Sequence, residues 1–140
     1  MAEASIKQPL YDISGEHVAE VVIPAHATGA SEIYPIFYAN GAETKVKSVL
    51  IIPSADVTGA NTNTTHINLF DRDADGNGTT EIGNYDLTLG NDLDAYDAYE
   101  LYAPATKLSL SAGEVLSIQL EEVGTGLALP TLLVIVRYTG

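Results

Sequence analysis

A chain of 140 residues, 46% of them apolar, is the right length to close one hydrophobic core, so a single domain is expected. Its 19 acidic and 6 basic residues leave a net charge of −13, which argues against nucleic-acid binding and against adhesion to anionic membranes. With no cysteine, neither disulfides nor thiolate metal sites enter the argument.

Residues 1–16 have weak periodicity, carry Pro9 and Gly15, and read as an extended N-terminal arm in front of one β-domain over 17–140. The start MAEASIKQPLYD lacks the basic and apolar regions of a signal peptide. The first strand is predicted over Val18 to Ile23, stopped by Pro24, and the second over Ile33 to Ala39, closed by the Asn40-Gly41 turn signal. The third spans Thr44 to Ile52. There Lys45 and Lys47 alternate with Val46 and Ser48 before the continuous run Val49, Leu50, Ile51, Ile52, which ends at Pro53. A polar loop leads to a fourth strand, Thr65 to Asp71, with Ile67 and Leu69 on one face and His66, Asn68 and Phe70 on the other. A turn over Asp73 to Gly78 precedes a fifth strand, Thr80 to Leu89, and an Asp- and Tyr-rich loop follows it. Short strands are predicted at Glu100 to Tyr102 and Lys107 to Leu110. The eighth, Val115 to Glu122, turns Leu116, Ile118 and Leu120 inward. The ninth, Leu132 to Tyr138, is almost wholly apolar and asks for cover on both faces. Eight or nine strands at regular spacing, with no helical period, predict an all-β, antiparallel two-sheet sandwich of jelly-roll type.

Three clusters carry candidate chemistry. DRDADGNGTTEI, Asp71 to Ile82, places Asp71, Asp73, Asp75 and Gly76 at positions 1, 3, 5 and 6 of an EF-hand-like loop. Position 12 is Ile82 rather than Glu, with Glu81 one place early. The segment therefore reads either as a weak calcium loop or as a plain turn rich in Asp, Asn and Gly. Asp92, Asp94, Asp97 and Glu100 cluster beside Tyr96 and Tyr99, either as a cation or acid–base site or as a solvated loop. Eight Tyr against two Phe and no Trp favour amphipathic aromatics suited to wet interfaces, which makes Tyr96 and Tyr99 contact candidates. His17, His26 and His66 form no metal-ligand spacing and are expected on the surface or in loops. No catalytic or cofactor fingerprint is present, so no catalytic residue and no bound cofactor is expected, and the chain reads as a non-enzyme.

Two stretches, VKSVLIIPSADVTGANTNTTHINLFDRDADGNGTTEI (Val46 to Ile82) and LSLSAGEVLSIQLEEVGTGLALPTLLVIVRY (Leu108 to Tyr138), resemble capsid decoration, or cementing, proteins of tailed bacteriophages. The resemblance implies a compact jelly roll, made in the host cytoplasm, that sits on the outer surface of the virion. It also implies a major capsid protein as partner, and a homotrimer, with a homodimer as second choice. Leu10 and Tyr11 of the arm are then further contact candidates. The main rival is a fibre- or tail-associated module that binds receptor or carbohydrate. A cupin-type metalloenzyme is poorly served by three scattered histidines.

Overall fold

The computed structural model describes residues 15–140. Nine strands run through them: β1 (Glu16–Ile23), β2 (Glu32–Tyr38), β3 (Thr44–Pro53), β4 (Thr64–Asp71), β5 (Thr80–Asp86), β6 (Tyr99–Tyr102), β7 (Leu108–Leu110), β8 (Val115–Val123) and β9 (Leu132–Thr139). All pairings are antiparallel. One sheet has the order β1-β9-β3-β6, with β7 also on β3, and the other has the order β2-β8-β4-β5. This interleaving is that of a jelly roll, with β6 and β7 sharing one strand position. β6 covers β3 at Val49 to Ile51 and β7 covers it at Thr44 to Val46. The break falls at Pro104, which cannot donate to the ladder. The sandwich expected from the strand spacing is therefore the one observed.

The alternation of side chains explains the core. Val46, Val49 and Ile51 of β3, Leu132, Val134 and Val136 of β9, Ile67 and Leu69 of β4, and Leu116, Ile118 and Leu120 of β8 are all 0% exposed. They fill the space between the two sheets, which pack about 10 Å apart. Asn68 and Ser117, placed by alternation on an outer face, are buried as well. The Gln119 and Glu121 side chains accept the Asn68 amide, and the Arg72 guanidinium donates to Ser117.

Boundaries moved where loops intervened. β1 begins at Glu16, two residues before the expected Val18, because Glu16 pairs with Thr139 and binds Lys47 at 2.9 Å. β5 ends at Asp86 rather than Leu89. There the chain turns, with the Asn91 N–H donating to Thr88 and the Asn91 amide to Asp86, so Leu87 enters the core and Leu89 is left exposed. Leu10, Tyr11 and the rest of the expected arm before Gly15 lie outside the described residues.

Candidate interaction surfaces

At the end of the sandwich where Gly15 enters, the two sheets part and leave a concavity of about 460 Å³. His17 of β1 and Tyr138 of β9 are register partners there, and Phe37 and Tyr38 come from the opposite sheet. The Tyr138 ring lies 5.4 Å from that of His17 and 4.9 Å from that of Phe37. The predicted Asn40-Gly41 turn forms the rim, held by the Thr44 hydroxyl donating to the Gly41 carbonyl at 3.1 Å. Ring faces combined with an amide and hydroxyls suit an amphipathic guest. No local spacing points to this concavity, because its walls come from strand ends more than a hundred residues apart.

At the same end, the carboxylates of Asp71, Asp73 and Glu114 lie within 4.8 Å of one another. Burial, and then a hydrogen bond with Glu114, pushes the Asp71 carboxyl above the usual carboxylate range. The EF-hand-like spacing is thus half realised. Asp71 and Asp73 meet, but Asp75 is not part of the group. It accepts the Asn77 N–H at 3.0 Å, which holds its carboxyl below the usual range. Glu81 faces the Asn84 amide on β5. The cause is local: the Gly78 N–H donates to the Arg72 carbonyl at 2.9 Å, so the chain doubles back as a hairpin instead of wrapping a centre over twelve residues. Glu114, the third carboxylate, comes from the turn before β8, which no local signal linked to this loop.

At the opposite end the Asp/Tyr loop is a folded structure. Asp92 accepts the Gly59 N–H at 2.8 Å, Asp56 accepts the Ala95 N–H at 2.7 Å, and the Tyr99 hydroxyl accepts the Asp94 N–H at 2.7 Å. Among the described residues, the carboxylates of this loop form no group of three. Tyr99 packs against the core, edge-on to Tyr85 at 5.4 Å, so its hydroxyl and ring are largely spent inside the fold. Tyr96 is 77% exposed, with a φ of 65° that is unusual for a bulky residue, and its ring borders a trough lined by Val22, Ile52, Pro53 and Leu133.

His26 lies in the loop between β1 and β2, within the surface-or-loop expectation, but it is buried. Its residue is 2% exposed, and its backbone exchanges two 2.9 Å hydrogen bonds with Leu129. Its Nδ1 lies 3.0 Å from Glu32 and its Nε2 2.9 Å from Glu122. Glu122 also accepts the Gly29 N–H at 3.0 Å, and Glu32 accepts the Tyr34 hydroxyl. The cluster clasps the β1–β2 loop onto β8. His66 is half-exposed, 3.6 Å from both Asp86 and Glu121, and His17 lines the concavity.

No protein-family model matches the chain. No curated protein matches it either. Comparison with solved structures finds a chain from "Structure of infectious bursal disease virus Gt strain", 10% identical over 92% of this chain, with a TM-score of 0.23. This chain spans 42% of the length of that one.

Proposed function

We propose that this protein is a capsid decoration protein that binds the outside of an assembled shell and bridges neighbouring capsomers. The observation that carries the reading is the aromatic concavity, where His17, Phe37, Tyr38 and Tyr138 gather ring faces at one end of the sandwich into a surface suited to seat on a capsomer. The resemblance of Val46 to Ile82 and of Leu108 to Tyr138 to phage decoration proteins supports the same assignment.

The mechanism is thermodynamic. A ligand that binds only the assembled shell stabilises it by mass action, and one that touches two capsomers gains from effective concentration. The acidic remainder of the surface keeps decorated particles apart. A chain lacking residues 1–14 is expected to fold with an unchanged melting temperature and to lose occupancy on purified shells. Tyr38→Ala in the concavity is expected to lower occupancy as well. Full occupancy by both variants overturns the reading. The same ring faces and the Asn40 amide also suit a sugar, so carbohydrate binding by a fibre or tail module is the second reading. A glycan array that gives binding abolished by Tyr38→Ala, together with no shell occupancy, selects it.

A further inference from the structure

The five-stranded sheet has an outer face unlike that of an ordinary antiparallel sandwich, where the solvent side is polar. β9 runs through its middle, and the register sets the outward residues in rows. Val22, Leu133 and Ile52 form one row, and Glu20, Ile135, Leu50 and Glu100 the next. Val18, Arg137 and Ser48 follow, then Glu16, Thr139 and Lys45. Six aliphatic side chains therefore share a face that points away from the core. Val18 and Val22 are 55% and 60% exposed, and the trough beside Tyr96 holds about 200 Å³. A contiguous apolar surface of this kind marks a contact.

The charge around it is polarised. Four of the six basic residues, Lys45, Lys47, Lys107 and Arg137, gather at the Glu16 end. Three of them, Lys47 first, pull the Glu16 carboxyl below its usual range. At the far end the exposed Asp56, Asp94 and Asp97 surround Tyr96. A chain with a net charge of −13 thus carries a basic end and an acidic end on one apolar face.

We infer that this face is the contact between two copies of the chain, related by a two-fold axis lying across the strands. That axis runs the two β9 strands antiparallel and sets the acidic end of each copy over the basic end of the other. The aliphatic rows meet between them, and every ion pair forms twice. Running the strands parallel would set like charge against like at both ends, at a cost of several kcal/mol, whereas the antiparallel arrangement does so only at Glu20 and Glu100 near the axis. Eight residues at about 3.3 Å by four strands at about 4.8 Å give roughly 500 Å² on each copy. The two copies together bury about 1,000 Å², the lower bound for a specific interface. The pair is therefore weak, concentration-dependent and salt-sensitive, and it gains strength only on a scaffold that holds many copies. The inference concerns the protein in solution and stands or falls separately from shell binding.

Sedimentation velocity of the full chain, from low to several hundred micromolar, tests it. The wild type is expected to pass from monomer to dimer, with less dimer as NaCl rises. Val22→Glu, at a site exposed in the monomer, is expected to weaken the dimer about tenfold or more with no change in melting temperature. Arg137→Glu is expected to weaken it as well, because the basic end then loses charge against the acidic end of the other copy. A wild type that stays monomeric, or a larger species indifferent to both Val22→Glu and Arg137→Glu, overturns the inference.

Discussion

Replacing His26 by leucine tests the buried clasp. Both ring nitrogens lie within hydrogen-bond distance of a carboxylate, Nδ1 of Glu32 and Nε2 of Glu122. The Glu122 side chain is 8% exposed and that of Glu32 is 43% exposed. A buried hydrogen bond to a charged group is worth about 1.5–3 kcal/mol. The bond to Glu32 is screened by water and adds little. Leucine fills a similar volume, so the packing term is small and the loss is about 2–3 kcal/mol, with Glu122 retaining only the Gly29 amide. At about 4 °C per kcal/mol for a domain of this size, the melting temperature falls by about 8–12 °C. Urea unfolding and calorimetry at neutral pH measure it. His66→Leu is the control, since its carboxylate partners lie 3.6 Å away, and it is expected to cost under about 1 kcal/mol. Equal losses from the two variants would refute the argument. The pH dependence has a definite sign. Glu32 is held below its ordinary value of 4.5, first by the Tyr34 hydroxyl and then by His26. Its contribution is therefore full above 4.5 and is lost as pH falls through the lower folded value. His26→Leu should make that loss in acid smaller.

Asp71→Asn should raise stability at neutral pH. Burial and Glu114 raise the Asp71 pKa, so its charged form costs stability above the folded value, and the gap between variant and wild type should close as pH falls below 3.8 in thermal melts. Gly59→Ala should cost about 2 kcal/mol or more in urea, since a Cβ there would press on the Thr88 and Asn91 carbonyl oxygens and displace the chain from Asp92. Lys47→Ala should leave the melting temperature within about 1 °C, because Lys47 and Glu16 are both about half exposed. The same variant should weaken self-association, which separates the role of this residue in contact from any role in folding.

The strands were legible because each rests on a local signal. The Lys45-Val46-Lys47 alternation, the Asn40-Gly41 turn and Pro104 each act within a few residues, and the observed strands match the expected ones to within about two residues at most ends. The clusters were not legible, because each depends on register between distant strands. Nothing near His26 points to Glu122, 96 residues on, and Glu114 reaches Asp71 only because β8 lies against β4. The EF-hand-like spacing is realised only at Asp71 and Asp73 for a related reason. It counts positions along the chain, whereas the flanking strands decided that the chain would turn back before Asp75 could join.

The apolar run of β9 belongs to both cases. Its composition asks for cover on two faces, and the jelly roll supplies one, with Leu132, Val134 and Val136 sealed against β4 and β8. Leu133 and Ile135 point the other way, in rows with Val22, Ile52 and Leu50. A strand that needed solubility alone would carry Thr, Lys or Glu at those two positions, as β3 does at Lys45 and Lys47 on the same face. Aliphatic side chains there weaken solubility without adding to the core. The proposed contact between two copies would close a second surface over them. On that proposal the pattern of this strand encodes the association together with the fold.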